Sequence, residues 1–451
     1  MAEKQRAYNY PDRLPLLKFF LKAEKIRKNP IPFHREFFNT YGDTFSVKLG
    51  RKKYIMLSRD KDVVQYILQK NHKNYYKSSI QTKYLSKYLG MGLLTANGPF
   101  WLRQRRLIQP AFHKKKMDSL VGLMQETIEK ELYQLPTGCS TDVFPIMNQL
   151  AFNVVASSLF NLTVDEDTLK RLQTIIQEIQ LFLVKEVRLP HKGWWFNLSG
   201  QVKKHLNLAE ESRSIIGGVI EERKTSKEKH DDLLDMLLAT RYEDTGEPMS
   251  TKQLIDEISI LFVAGHETTA NALAFTSYLL ARDQDAQQRV FEEVDMAHEK
   301  TNNSLEQIKL LPFTRAVIDE SMRLYPPAWI TDRENLEDDT IGDYHIMKNT
   351  LVGVSFYELH RNPKYWKDPE EFQPERFLGE RRKETTGVYF PFGAGPRMCI
   401  GMGFAIYEMV LAIAYLVKNY ELSTSLEKPQ LNPLITLKPV DLMIEFKNRK
   451  Q

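Results

Sequence analysis

The sequence predicts a mainly α-helical chain with a smaller β-rich lobe, an α+β architecture in one large domain over residues 1–451. Three observations carry this. From about Asp60 to Arg323 most segments space their apolar residues three and four apart, the period of an amphipathic helix. Near the N-terminus "DTFSVKLGRKKYIMLS" alternates Phe45, Val47 and Leu49 with polar residues, turns at Gly50-Arg51 and resumes over Tyr54 to Leu57, the pattern of a hairpin. At the far end "LITLKPVDLMIEF" reads as strands.

Taken in order, the chain opens with an apolar run, Leu14 to Leu21, that Lys18 interrupts. It is too short to cross a bilayer and lacks a signal-peptide cleavage pattern, so no membrane anchor is expected. An N-terminal β-rich lobe over about 35–60 and C-terminal strands over about 431–448 flank a helical body over about 61–420. Breaks in the helical pattern fall at "TANGPF", "LPTGCS", "RLPHKGWWFNLSGQ" and "EDTGEPMS". From Pro326 the texture turns proline-rich and irregular, including "LHRNPKYWKDPEEFQPERF", before a last helix from about Gly401 to Lys418. With 42% hydrophobic and 27% charged residues the chain can bury a large core. Its net charge of +5 is mild for 451 residues and gives no reason to expect a nucleic-acid partner. Two cysteines far apart, Cys139 and Cys399, point to a reducing, cytoplasmic setting without a structural disulfide. A monomer is expected.

Chemistry concentrates at "YFPFGAGPRMCIGMGFAIYEMVLAIAY", Tyr389 to Tyr415, where Cys399 sits in a glycine-rich loop opening into an apolar helix. A helix N-terminus lowers a thiol pKa and favours the thiolate, the form that binds metal. A lone cysteine is otherwise most often a structural core residue. A nucleotide loop fails on spacing, because Met398 stands where the third glycine of G-x-G-x-x-G belongs. Phe392, Gly393, Gly395, Arg397, Cys399 and Gly401 spell F-G-x-G-x-R-x-C-x-G, which resembles the haem-binding loop of the haem-thiolate monooxygenases, the cytochrome P-450 family. The resemblance implies haem b as cofactor, O2 as co-substrate and Cys399 as the iron ligand. It further implies that Phe392 shields the sulfur, Arg397 pairs with a propionate, and Gly393 and Gly401 allow a tight bulge under the porphyrin.

Three further segments agree with the resemblance. "ESMR" sets Glu320 and Arg323 one helical face apart, ordinarily a surface ion pair, and "PERF" supplies Arg376; the family's pattern makes the three a structural triad. "LFVAGHETTANALAF" places Ala264, Gly265, Glu267, Thr268 and Thr269 in an apolar helix, and the family's pattern assigns Glu267 and Thr268 to proton delivery and Ala264 to the haem face. A threonine bonded back to its own helix is the plain alternative. In "FWLRQRRLIQPAFH", Trp101 and Arg105 match W-x-x-x-R, both directed at a propionate, and Arg333 in "WITDREN" stands where relatives place another propionate partner.

The implied activity is reductive activation of O2 and insertion of one oxygen atom into a C–H bond of a small-molecule substrate. A non-catalytic haem sensor would have little use for Glu267 and Thr268, and peroxide-using or isomerising relatives commonly lack that pair. No flavin or iron–sulfur motif is present, so electrons are expected from a separate ferredoxin and its reductase, docking on Arg103, Arg106 and Lys114 to Lys116. The family's pocket segments map to Leu93, Leu94, Ala264, Ala328, Trp329, Ile330 and Ile435. The motifs look most like the long-chain branch that includes bacterial fatty-acid hydroxylases and omega-hydroxylases. The lid candidate Val184 to Phe196, with Trp194 and Trp195, and the tyrosine-rich Ser78 to Tyr88 equally suit a methylated sugar, whose methyl ether would undergo oxidative O-demethylation with loss of formaldehyde.

Overall fold

The computed structural model describes residues 7–50, 53–161, 165–226, 230 and 232–449; Arg51, half of the expected Gly50-Arg51 turn, lies outside the described residues. Among those residues the helices of more than ten residues are α1 Leu16–Lys28, α2 Ile31–Tyr41, α3 Gly98–Ile108, α4 Lys114–Leu132, α5 Val143–Phe160, α6 Glu166–Arg188, α7 Gln201–Thr225, α8 Thr251–Arg282, α9 Gln284–Lys300, α10 Pro312–Leu324 and α11 Met402–Asn419. Contacts divide the chain into two compact units. The first takes the residues up to Ser78, Asp319–Cys399 and Leu431–Lys438; the second takes Ser79–Ile318, Ile400–Gln430 and the residues from Pro439 on.

The first unit is built on a five-stranded sheet. Its strands are β1 Thr44–Lys48, β2 Tyr54–Ser58, β3 Tyr75–Tyr76, β4 Ile330–Asn335 and β5 Leu351–Ser355, in the order β1-β2-β5-β4-β3. The predicted hairpin is there, pairing Phe45 with Leu57 and Val47 with Ile55. Ser46, between Phe45 and Val47, is buried as well, because apolar clusters cover both faces: Met56, Val352 and Val354 join one cluster, while Phe45, Val47 and Leu57 join Phe37 and Phe38 of α2 in another. The buried hydroxyls find partners within the unit, Ser46 Oγ donating to Pro11 O at 2.9 Å and Thr44 Oγ1 lying 2.8 Å from Ser58 Oγ.

In the second unit α8 is the central helix, opened by Ser250, whose side chain accepts from the Gln253 N–H at 3.2 Å. It packs on α5 through Phe262, set 5.6 Å from the ring of Phe152 and 4.9 Å from that of Phe160. A Cβ at Gly265 would meet Val155 Cγ2 at 3.0 Å, so this glycine serves the approach of the two helices. Its neighbour Ala264 is exposed in a helix whose surroundings are otherwise largely buried. The C-terminal strands divide: Gln430–Pro433 pairs with Leu437–Val440, and Met443–Asn448 lies between Ser140–Asp142 and Tyr420–Ser423. Helices α5 and α11 are long and apolar enough to cross a membrane by length and composition, yet 67% and 56% of these windows are buried inside the fold.

The triad is the tightest feature of the first unit. Glu320 and Arg323 are 0% exposed, and the carboxylate accepts from Arg323 Nε at 2.7 Å and Nη2 at 2.8 Å. The Gln373 N–H adds a third bond at 2.9 Å, and Arg376 Nε lies 3.4 Å away. Arg323 also donates to the carbonyls of His360, Pro369 and Glu371 at 2.7–3.0 Å. Removing one partner of such a buried network strands the other charge at a cost of about 3–5 kcal/mol. Glu320→Ala is therefore expected to yield little soluble protein and a sharply lowered midpoint in urea unfolding; a variant as stable as the parent would disprove the scaffold role.

Candidate active site

The cysteine loop is held by its own backbone. Phe390 N–H donates to His360 Nε2 at 2.9 Å, Gly393 N–H to Phe390 O at 3.1 Å, and Cys399 N–H to Phe392 O at 2.9 Å, which brings the predicted Phe392 and Cys399 together. At Gly395, φ is +69° and an added Cβ would fall 1.9 Å from Leu68 O, so no other residue fits the turn. Cys399 is exposed and forms no disulfide, as is Cys139. Three cations gather in the same unit. Arg333, on β4 and 7% exposed, is held at about 10 by burial, and Arg397 at about 10 by burial and by Arg333. Lys77 is the third: burial, then Arg333 and Arg397, push its ammonium well below the ordinary value. Sequence reasoning missed Lys77, and its place in the polar stretch "YYKSS" gave no signal. Lys77 and Arg397 are each depressed by burial and by neighbouring cations, a setting that favours an anion.

The same unit unites two of the expected pocket segments. Trp329 Nε1 donates to Leu434 O at 3.1 Å, joining Ala328 to Ile330 with the segment that carries Ile435. Ala328 and Ile435 are exposed and Ile330 is half-buried, whereas Trp329 is 5% exposed and stacks on His34. Trp329 is thus a buried residue that pins the segment just before β4.

The second unit carries the other predicted residues. On α8, Thr268 is half-buried and Glu267 buried; Thr268 Oγ1 donates to Ala264 O at 2.9 Å and Thr269 Oγ1 to Gly265 O at 3.0 Å. Both threonines therefore bond back to their own helix. Half-buried Trp101 and Arg105 lie on α3, where Arg105 Nε donates to Gln109 Oε1 at 3.2 Å. Leu94 packs in an apolar cluster that includes Val263, the neighbour of Ala264, and Leu93 is half-buried beside it in sequence. Arg103 is already engaged, bonded to Asp244 at 3.0 Å and lying 3.7 Å over the Tyr242 ring.

A family model, Cytochrome P450, matches residues 9–446. Among similar proteins, cyclooctat-9-en-7-ol 5-monooxygenase of Streptomyces melanosporofaciens is 32% identical over 384 residues, 85% of this chain and 83% of that protein. The chloroplastic protein LUTEIN DEFICIENT 5 of Arabidopsis thaliana is 30% identical over 438 residues, 91% of this chain and 72% of the relative. The crystal structure of the cytochrome P450DA heme domain superposes with a TM-score of 0.86 at 23% identity, covering 99% of each chain.

The residues present fit a haem. Cys399, exposed in the loop that leads into α11, would hold a haem iron through its thiolate. Lys77, Arg333 and Arg397, each depressed first by burial, have the chemistry to receive propionates. Cys399→Ser is expected to remove the red-shifted Soret band of the ferrous carbonyl adduct that marks thiolate ligation, while Cys139→Ser keeps it. Retention of the band in Cys399→Ser would move the ligand elsewhere.

Proposed function

The chain belongs to the cytochrome P450 family, and from that premise we propose that this haem-thiolate monooxygenase hydroxylates a large, mostly apolar molecule with electrons from a separate ferredoxin and reductase. The observation that carries the reading is the face of α8 on which exposed Ala264 and half-buried Thr268 interrupt a largely buried helix. Bound haem supplies the reductive activation of O2, its thiolate favouring O–O cleavage. The chain's own part is to hold and to move protons. Cys399 would hold the iron and Lys77, Arg333 and Arg397 of the same unit would receive the anionic edge, with Trp101 and Arg105 assigned to it by the family's pattern alone. Thr268 has a single O–H, and in the present rotamer that proton points to Ala264 O. Turning it outward lets the hydroxyl donate toward the reacting side and accept from a source replenished by Glu267.

The substrate class rests on the lining. Leu93, Leu94, Ala264, Ala328, Ile330 and Ile435 offer no charge and no side-chain hydrogen bond. The aromatic pair that suggested a sugar, Trp194 and Trp195, stands 68% and 48% exposed. Relatives act, by their names, on cyclooctat-9-en-7-ol, carotene and echinocystic acid. These support a lipid or terpenoid over a methylated sugar, and hydroxylation over O-demethylation.

For the donor, Arg106, Lys114 and Lys115 are exposed. Lys114 to Lys116 fill the first turn of α4, which has no acidic residue, although the helix dipole disfavours positive charge there. A basic helix start with a local cost supports a docking role for an acidic carrier.

Two outcomes are expected. Thr268→Ala should keep the substrate-induced optical shift yet divert electrons to hydrogen peroxide, lowering product formation by about 10²-fold; unchanged coupling would exclude Thr268 from proton delivery. Lys114→Glu with Lys115→Glu should raise the apparent KM for ferredoxin and weaken its salt dependence, while raising helix stability by about 0.3–1 kcal/mol per charge at low ionic strength. An unchanged KM would place the donor elsewhere.

A further inference from the structure

The loop Gly90–Ala96, sequence "GMGLLTA", is tied to α8 by side chains that the proposed chemistry does not use. Met91 N–H donates to Asp256 Oδ2 at 3.0 Å and Leu93 N–H to Glu257 Oε2 at 3.1 Å. Gln253 Nε2 donates to Met91 O at 2.6 Å and to Glu257 Oε1 at 3.1 Å. Residues 253, 256 and 257 share one face of α8. Within the loop, Thr95 Oγ1 donates to Gly90 O at 2.8 Å and accepts from Gly92 N–H at 3.0 Å. Arg213 of α7 pairs with Asp256 on its other side.

The approach is close enough to need glycine. A Cβ at Gly92 would lie 2.5 Å from Glu257 Oε2, and one at Gly90, where φ is +83°, 2.2 Å from Asp256 Cγ. Glu257 is 0% exposed and Asp256 4% exposed. Adjacent buried acids are costly unless paired and hydrogen-bonded, and here Arg213, Gln253 and the two loop N–H groups supply the partners. Burial pushes the Glu257 carboxyl up to about 7, with the Asp256 charge adding to it. Beyond the clamp the loop carries Leu93 and Leu94, and Leu94 packs against the same apolar cluster as Val263, the neighbour of Ala264.

We propose that Gln253, Asp256 and Glu257 are positioning residues for substrate selection: they fix where Leu93 and Leu94 stand against the Val263–Ala264 stretch of α8, and so set the size of molecule the enzyme accepts. The proposal rests on the reading that Leu93, Leu94 and Ala264 wall the substrate space. The clamp acts on the wall and leaves the reacting centre alone.

The test uses the haem-loaded full chain and two measurements, amide hydrogen exchange at Met91 and Leu93, and affinities for imidazole, 4-phenylimidazole and clotrimazole from their optical shifts. These azoles share one binding group and differ in bulk, so they gauge the wall without the natural substrate. Gly92→Ala, which forces the backbone away from Glu257, and Glu257→Leu, which removes both acceptors, should each speed exchange at Leu93 by about tenfold. Both should leave imidazole affinity unchanged and shift the clotrimazole to 4-phenylimidazole affinity ratio by about tenfold. Glu257→Gln keeps one acceptor oxygen and should shift the ratio less, in the same direction. If Glu257→Leu does not fold, Gly92→Ala and Glu257→Gln decide the matter. Unchanged exchange, or faster exchange with an unchanged ratio, overturns the proposal. Absence of any imidazole shift in the unsubstituted protein overturns the haem reading itself, which separates the two failures.

Discussion

Arg323 is the interaction on which the first unit depends. All five of its N–H donors are used: two bonds reach the Glu320 carboxylate and three reach the carbonyls of His360, Pro369 and Glu371. Those carbonyls belong to the proline-rich stretch that lacks a sheet or long helix to satisfy them. The guanidinium does for this irregular chain what a hydrogen-bond ladder does elsewhere. His360, anchored through its carbonyl, then offers Nε2 to the Phe390 N–H, and Phe390 O accepts from Gly393. A continuous set of bonds thus runs from E-x-x-R to the cysteine loop.

The two units divide the labour. The thiol, the cation cluster and the Trp329-pinned segment belong to one; the helix bearing Ala264, Glu267 and Thr268 belongs to the other. In each, a small residue decides what can approach. Gly395 clears the Leu68 carbonyl, and Gly265 clears Val155, leaving Ala264 as the small residue on the open face of α8. The motif A-G-x-[DE]-T-[TS] therefore pairs a glycine that serves packing with an alanine left exposed.

What was legible in the sequence follows from range. The β1–β2 hairpin, α8 and the E-x-x-R pair are local patterns, and the helical period or strand alternation shows them directly. The contiguous cysteine motif carried the family resemblance. Lys77 was invisible because its meaning comes from Arg333 and Arg397, more than two hundred residues away. Trp329 looked like pocket lining until its indole N–H found Leu434 O, and Arg103 looked free for docking until Asp244 and Tyr242 claimed it. Asp256 and Glu257 are buried where Gly90 and Gly92 of a distant loop let the backbone approach them, a pairing no local pattern shows. Pairings across long sequence distances leave no periodic trace.

Buried His360 also writes an acid sensitivity into the fold. Its Nε2 accepts a hydrogen bond, so the ring must be neutral with its proton on Nδ1, and burial, then Arg323 and Arg361, keep its pKa well below 6.5. The unfolded chain's histidine takes up a proton near 6.5, so below that pH the unfolded state binds more protons than the folded one. Stability then falls by about 1.4 kcal/mol for each further unit of acidification from this one ring, until the folded imidazole itself is forced to charge. The bond that steadies the cysteine loop therefore ties the protein's durability to a neutral or alkaline surrounding.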